Sequence, residues 1–284
     1  MELVTTIAEA RQRLDVARRA GGSVGLVPTM GFLHEGHASL MTAAVVDNDF
    51  TMVTIFVNPL QFAAGEDLES YPRDLERDLE ICAAEGVDLV LAPTVEEMYP
   101  TAIETTVTVD AVARPLEGRS RPEHFAGVAT VVAKLFSIAG PCRAYFGAKD
   151  WQQVAVISRM AHDLSMPVEV VPCPIVRDHD GLAMSSRNVY LRDEERAQAP
   201  TLRRALDAGL EAIADGERDP AAVEATMAAV LAEATSGTID YVAAVQADTL
   251  VPDGPLHGEV RLLLAVQFGR ARLIDNDGCT IIEP

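Results

Sequence analysis

Val24-Gly25-Leu26-Val27-Pro28-Thr29-Met30-Gly31-Phe32-Leu33-His34-Glu35-Gly36-His37 decides the fold. An apolar run ends at Pro28, a glycine-punctuated turn follows, and apolar residues of helical spacing begin near His37. The stretch therefore reads as strand, loop and helix. The unbroken apolar character of Val24 to Val27 suits a strand buried on both faces of a parallel sheet. Two imidazoles stand in the turn, three residues apart. A helix that begins at Gly36 or His37 aims its unpaired N–H groups and the positive end of its dipole into the same space, which makes a place for phosphate. Two other readings stay open at this point. One is a metal site, although the spacing is i, i+3 rather than the i, i+4 of His-Glu-x-x-His, with no obvious third ligand nearby. The other is a pair of surface histidines on an ordinary connection.

Working outward, Thr6-Ile7-Ala8-Glu9 fits a capping box, so a helix is expected to run to about Ala20 and stop at Gly21-Gly22. A helix from about His37 to Asp47 leads to a second apolar strand, Phe50 to Val57. That strand stops at Asn58-Pro59-Leu60-Gln61-Phe62. Asn58 and Gln61 thus stand at the carboxyl end of a strand, the edge where open α/β sheets bind ligands; a plain Asn-Pro turn is the other reading. Tyr71-Pro72-Arg73 precedes a charged helix, about Asp74 to Glu85, whose mixed charges read as a solvated face. Val87 to Ala92 is a third strand. Strands alternating with helices build a right-handed parallel sheet.

Thr105 to Val109 is expected as a peripheral strand. Arg121-Pro122-Glu123-His124-Phe125 precedes a helix from about Gly127 to Ile138, with Arg121 and His124 either donors at a helix entrance or surface residues. The strand Arg143 to Phe146 runs into Gly147-Ala148-Lys149-Asp150-Trp151-Gln152-Gln153, a second strand–glycine–helix junction. Its lysine is a mobile point charge suited to phosphate, and Gln153 falls one turn into a helix expected from Asp150 to Leu164. Val168 to Val171 completes the sheet. After Ile175-Val176-Arg177 and the turn Asp180-Gly181 comes Met184-Ser185-Ser186-Arg187-Asn188. Its hydroxyls, guanidinium and backbone donors suit a polyphosphate, or else a helix cap. Beyond Leu191 the composition changes. Asp193 to Asp215 and Pro220 to Ala234 are alanine-rich, amphipathic helices, and Ile239 to Gln246, Val260 to Gln267 and Arg272 to Asp275 are antiparallel strands. The domain boundary is expected between Val176 and Leu191.

The chain has 284 residues, 49% of them hydrophobic, enough for a packed core in one large domain or two smaller ones. Its formal net charge of −20 repels nucleic acid and anionic membrane. With only 23 basic residues, each Lys or Arg near a glycine-rich turn becomes informative, because an anionic substrate must be met locally. Cys82, Cys142, Cys173 and Cys279 are scattered without a Cys-x-x-Cys, as in a reduced cytosolic protein without structural disulfides. Met1-Glu2-Leu3 carries no basic region before an apolar run, so no signal peptide is expected, and no apolar run is long enough to span a membrane.

His34-x-Gly36-His37 after a first strand resembles the signature of the nucleotidylyltransferase superfamily. The surrounding residues narrow the resemblance to the pantothenate synthetase family. They are, in order, Pro28-Thr29-Met30-Gly31; Phe56-Val57-Asn58-Pro59-Leu60-Gln61-Phe62; Tyr71-Pro72-Arg73; Arg121-Pro122…His124-Phe125-x-Gly127-Val128; Phe146-Gly147…Lys149-Asp150-x-Gln152-Gln153; and Asp180-Gly181-Leu182-Ala183-Met184-Ser185-Ser186-Arg187-Asn188. Ile239-Asp240-Tyr241-Val242 and Arg272-Leu273-Ile274-Asp275-Asn276 extend it toward the end of the chain. Any one motif alone is weak; the ordered series spans nearly the full length.

The resemblance implies an α/β fold: a Rossmann-like parallel sheet of the His-x-Gly-His nucleotidylyltransferase type with a smaller α+β C-terminal domain. Residues 1–178 would bind ATP and pantoate and residues 179–284 would form a lid. It implies an AMP-forming ligase of pantothenate biosynthesis, on the coenzyme A pathway, that joins pantoate and β-alanine through a pantoyl adenylate. By resemblance, His34 and His37 contact the phosphates, with His37 the proton donor. Lys149 neutralises phosphate charge, and Ser185, Ser186 and Arg187 close over the β- and γ-phosphates. The ATP site would comprise Met30, Gly31, Phe32, Leu33, His34, Glu35, Gly36 and His37; Gly147, Ala148, Lys149 and Asp150; Val176; and Met184 to Arg187. Gln61 and Gln153 would hold pantoate, with Asn58, Arg121 and His124 also on the substrate side. Mg²⁺ would ride on the ATP phosphates without a carboxylate cage of its own. A cytoplasmic homodimer is expected, with no nucleic-acid or membrane partner.

The chain departs from the family pattern in places. Ala148 stands where Glu or Gln is usual and is left a backbone role. Phe32 occupies a usually small position and narrows the turn, and Gln267-Phe268 interrupts an apolar strand. The rival reading within the superfamily is an adenylyl transferase acting on another small acid or phosphate substrate, which does not predict Asn58-Pro59-Leu60-Gln61-Phe62 or the paired glutamines. A tRNA synthetase is disfavoured by the acidic charge and the lack of room for an anticodon-binding domain. A nucleotide-binding regulatory module would not need His37, Lys149 and Ser185-Ser186-Arg187 together.

Overall fold

The computed structural model describes residues 1–63, 68–233 and 236–282. The chain divides into two compact units, residues 1–148 with 153–174 and residues 149–152 with 175–284.

The first unit is built on a six-stranded sheet in the order β1-β4-β3-β2-β5-β6, every neighbouring pair parallel. Its strands are β1 (Glu2–Val4), β2 (Val24–Thr29), β3 (Phe50–Ile55), β4 (Leu89–Leu91), β5 (Cys142–Gly147) and β6 (Val168–Cys173). Between them run α1 (Ile7–Arg19), α2 (Glu35–Asp47), α3 (Leu75–Ala84), the short α4 (Val95–Met98), α5 (Asp110–Ala113) and α6 (Glu117–Ser120), then α7 (His124–Ala139) and α8 (Trp151–Asp163). The Thr6–Glu9 capping box starts α1 as expected, with Thr6 and Glu9 bonding reciprocally. Parallel strands need crossover helices, and those helices bury both sheet faces. Leu26, Val27, Met52, Val53, Leu89 and Val90 are accordingly sealed from solvent. Strand order reverses at β2, with β3 and β4 on one side and β5 and β6 on the other. The carboxyl ends of β2 and β5 therefore flank the switch point where such sheets bind ligands.

The second unit carries α9 (Asp193–Gln198), α10 (Thr201–Ala214) and α11 (Pro220–Glu233), packed on an antiparallel three-stranded sheet in the order β7-β8-β9: Thr238–Gln246, Gly258–Phe268 and Ala271–Ile281. Leu202, Leu206, Met227, Leu262, Leu264 and Phe268 lie at the centre of its core. Among the described residues no helix is long and apolar enough to cross a membrane.

Several expected elements are corrected. No strand forms over Thr105 to Val109; the Val107 N–H instead donates to the Thr130 hydroxyl of α7 at 3.0 Å, so this segment is tied to a helix side chain. The helix expected from Asp193 to Asp215 is two helices, because Pro200 has no N–H to continue the first. The expected end of the next helix at Ala234 lies outside the described residues. The last strand runs well past Asp275: Asn276-Asp277-Gly278 has turn composition, yet it pairs with Arg261 to Leu263. Gly278 permits this, since a Cβ there would lie 2.5 Å from the Val260 carbonyl oxygen. The edge strand β1 was too short to show a period.

Candidate active site

The turn after β2 is shaped by its backbone. Gly31 (φ +83°) and Phe32 (φ +52°) are both left-handed, a conformation that costs a residue with a side chain about 1–2 kcal/mol. A carboxylate offsets that cost. Asp78, on α3, accepts the Phe32 N–H at 2.8 Å and the Leu33 N–H at 2.7 Å. It is 1% exposed, and burial pushes its carboxyl above the usual range against the pull of those two donors. A Cβ on Gly31 would sit 2.9 Å from Asp78 Oδ2, so glycine is needed there on contact as well as conformation. The Phe32 ring lies beneath the Arg77 guanidinium, 5.7 Å from its centroid. Leu33, fully buried, anchors the turn to the core; burying a leucine contributes about 1.5–3 kcal/mol. α3 is thus no mere solvated face.

The helix begins at Glu35, earlier than expected, because His34 is its N-cap. His34 Nδ1 accepts the Gly36 N–H at 3.1 Å, and His37 Nδ1 accepts the His34 N–H at 3.3 Å. The rings stand 4.1 Å apart between centroids. An imidazole nitrogen that accepts an N–H carries no proton of its own. Both neutral rings therefore hold their proton on Nε2 and present it as a donor. Two imidazole donors and a helix N-terminus form an anion-binding constellation.

The turn after β3 converges on Gln61. Its side-chain Nε2 donates to Met30 Sδ at 3.1 Å, and its Oε1 accepts from Asn58 Nδ2 at 3.2 Å. Its backbone carbonyl meets Arg121 Nη2 at 3.3 Å and His124 Nδ1 at 3.0 Å. Asn58 is 1% exposed. Its Nδ2 also donates to the Gly127 carbonyl, and its Oδ1 accepts from the Leu60 N–H and the Tyr99 hydroxyl, the latter at 2.8 Å. Burial pushes the Tyr99 phenol up to about 12, so it stays a proton donor. Asn58, Arg121 and His124 therefore all bond Gln61. Gly127 lets α7 approach: a Cβ there would lie 2.1 Å from the Leu60 carbonyl oxygen.

β5 ends at Gly147, and the buried Ala148 opens the turn after it. Gln153 stands half-buried in the first turn of α8, next to the buried Gln152.

In the second unit, Lys149 Nζ lies 4.0 Å from Asp150 Oδ2, and the lysine side chain is largely buried. Val176 accepts the Met184 N–H at 3.0 Å, and Arg177 bridges to Ala183, closing a narrow turn around Gly181. Ser185 caps the 3₁₀ turn Ser186–Tyr190, its Oγ accepting the Arg187 N–H at 3.3 Å, so both the cap and the phosphate readings of this segment stay physically compatible. Asn188 ties back to the Ala183 carbonyl.

Sequence reasoning missed Asp78 and Tyr99. The signal for Asp78 was its place four residues before buried Cys82, on the inward face of α3. Tyr99 had no local signal, since its partner is 41 residues away.

A family model described as pantoate-β-alanine ligase matches residues 2–277 of this chain. The chain is 53% identical over 281 residues to the pantothenate synthetase of Allorhizobium ampelinum, covering 99% of this chain and 97% of that protein. It is likewise 53% identical to that of Moorella thermoacetica over 97% of this chain and 98% of the relative. Among solved structures, pantothenate synthetase from Thermus thermophilus matches with a TM-score of 0.92 at 48% identity, covering 98% of this chain and 99% of that one. Pantoate-β-alanine ligase from Francisella tularensis, complexed with beta-gamma ATP and β-alanine, matches with a TM-score of 0.79 at 31% identity, covering 98% and 97%.

Proposed function

The chain belongs to the pantoate-β-alanine ligase family, and from that premise we infer how its own residues carry the reaction. It is a ligase that condenses pantoate with β-alanine at the expense of ATP, giving pantothenate, AMP and pyrophosphate through an enzyme-bound pantoyl adenylate. An adenylyl transferase acting on another small substrate is not favoured.

A carboxylate is a poor electrophile at neutral pH. In the first step a pantoate carboxylate oxygen bonds to the α-phosphorus, and the bond from that phosphorus to the bridging oxygen breaks, sending its electron pair into pyrophosphate. Negative charge gathers on the α-phosphate and on the leaving group, and preorganised donors aimed at that charge lower the barrier. His34 and His37 supply Nε2–H donors in this reading, with the His37 Nε2–H hydrogen-bonding the charge that develops as pyrophosphate departs and keeping its proton. Lys149 neutralises phosphate charge, and Ser185, Ser186 and Arg187 hold the β- and γ-phosphates. Met30 to His37, Gly147 to Asp150, Val176 and Met184 frame the nucleotide. Gln61 and Gln153 hold pantoate, with Asn58, Arg121 and His124 on the same substrate side, where they also bond Gln61. In the second step the β-alanine nitrogen bonds to the acyl carbon and AMP leaves with the oxygen that pantoate brought. The amine proton passes to solvent. The enzyme's part in this step is alignment and exclusion of water.

Among the described residues no three His, Cys, Asp or Glu side chains gather as a metal cage. A magnesium ion fits this reading through the ATP phosphates, where it would supply charge neutralisation. The division into an ATP- and pantoate-binding domain (residues 1–178) and a lid (residues 179–284), a homodimeric state and a cytoplasmic location belong to the same proposal.

The observation that carries the reading is the histidine pair, whose backbone bonds leave both Nε2–H groups as donors at a helix N-terminus. Its test is pyrophosphate release from ATP and Mg²⁺, with and without pantoate. Release is expected only with pantoate; no response to pantoate under any condition overturns the reading.

A further inference from the structure

Arg272 to Asn276, noted in the sequence without a role, forms the first part of β9. Asn276 is 1% exposed, and its side-chain Nδ2 donates to the Lys149 carbonyl at 2.7 Å. Its orientation is settled by its neighbours. Oδ1 accepts from the Arg261 guanidinium at 3.3 Å, so the nitrogen must face the carbonyl. The Arg261 guanidinium in turn stacks 3.5 Å from the centroid of the Trp151 ring, whose Nε1 donates to the Ala247 carbonyl at 2.9 Å. The Asn276 backbone is held as well: its N–H donates to Asp275 Oδ1 at 2.8 Å, and its carbonyl accepts from Arg177 Nη2 at 3.3 Å. Arg177 pairs bidentately with Asp275, which is 2% exposed, at 2.6 and 3.0 Å. Arg177 Nη1 also donates to the Gly181 carbonyl at 3.0 Å, in the turn that precedes Met184-Ser185-Ser186-Arg187.

Two neighbouring residues of β9 therefore tie down both the Lys149 backbone and the turn ahead of the Ser185–Arg187 segment. We propose that Asn276 is a positioning residue for Lys149: its carboxamide, locked by Arg261 and by the Arg177–Asp275 pair, fixes the backbone from which the lysine reaches the phosphates. This rests on the phosphate role assigned to Lys149 above. The physical reason is that a lysine is a flexible point charge. A fixed backbone removes part of the entropy of aiming it, and displacement of a charged group by an ångström is enough to lower a rate severely.

The test is a double-mutant cycle on pantoate-dependent pyrophosphate release, with Asn276→Leu, Lys149→Ala and the double variant. Leucine is close to asparagine in size and cannot donate. Asn276→Ala, which leaves room for water, is run beside it so that a folded variant carries the comparison. The expected result is a kcat about tenfold lower for the Asn276 variant, the scale of one lost hydrogen bond and the geometry it holds. KM for pantoate stays within about twofold, and the double variant is no slower than Lys149→Ala alone. A wild-type kcat in the Asn276 variants overturns the proposal, as does a loss that multiplies with Lys149→Ala, which a merely structural role would give. Silence of the wild-type enzyme is instead failure of the functional reading. The same cycle is then run on the ATP dissociation constant by calorimetry, where additive losses overturn the positioning role.

Discussion

At the residue scale, the chemistry turns on which ring nitrogen holds each proton. His37 does two things: its Nδ1 receives the His34 N–H and so helps cap α2, and its proton is thereby held on Nε2. His37→Ala is therefore expected to lower adenylate formation by about a hundredfold or more, the scale of losing one donor to a developing charge. It should also cost about 1 kcal/mol of stability through the lost cap. Single-turnover adenylate formation and denaturant unfolding measure the two separately. Near-normal turnover removes His37 from the mechanism. The histidines, Lys149 and the Ser185-Ser186-Arg187 run were legible in the sequence because their types and spacing carry chemistry. Asp78 and Asn276 were not, because a buried carboxylate that accepts two N–H groups, or an amide that binds a carbonyl, declares itself only through partners distant in sequence.

At the element scale, the fit of α7 on the Asn58–Gln61 turn is the sharpest local constraint. Gly127→Ala would drive a methyl against the Leu60 carbonyl, 2.1 Å from an ideal Cβ. The expected outcome is a loss of about 1–3 kcal/mol in denaturant unfolding, the cost of overpacking. The displaced turn carries Gln61, so KM for pantoate should rise while the affinity for ATP changes little. Unchanged stability and an unchanged KM would mean that the turn yields freely and does not fix Gln61. Most elements were readable from apolar period and turn composition, β2 and β3 above all. The break at Pro200 was local and readable, but in the last strand and in Thr105 to Val109 the deciding interaction was non-local or ran against local composition. Asp277-Gly278 has the composition of a hairpin turn, yet β8 pairs along it and β9 continues. Thr105 to Val109 has β-branched character but finds a helix hydroxyl where a strand would need a neighbour.

At the scale of the whole molecule, the parallel sheet was legible because strands buried on both faces must be apolar throughout, and the order of the motifs showed which strand ends carry chemistry. The net charge of −20 gives the functional groups their context. In a field that repels anions, a polyphosphate is held by a few local donors and cations or not at all, and the residues assigned here to ATP are among them. The central claim is that these residues activate a carboxylate by moving AMP onto it. The most direct measurement is to supply pantoate labelled with oxygen-18 in its carboxylate, together with ATP and β-alanine, and to weigh the AMP and pyrophosphate formed. One labelled oxygen is expected in AMP and none in pyrophosphate, because the oxygen that attacks the α-phosphorus leaves with it. Label in pyrophosphate, or unlabelled AMP alongside pantothenate that keeps all its label but one lost to water, would contradict the adenylate route.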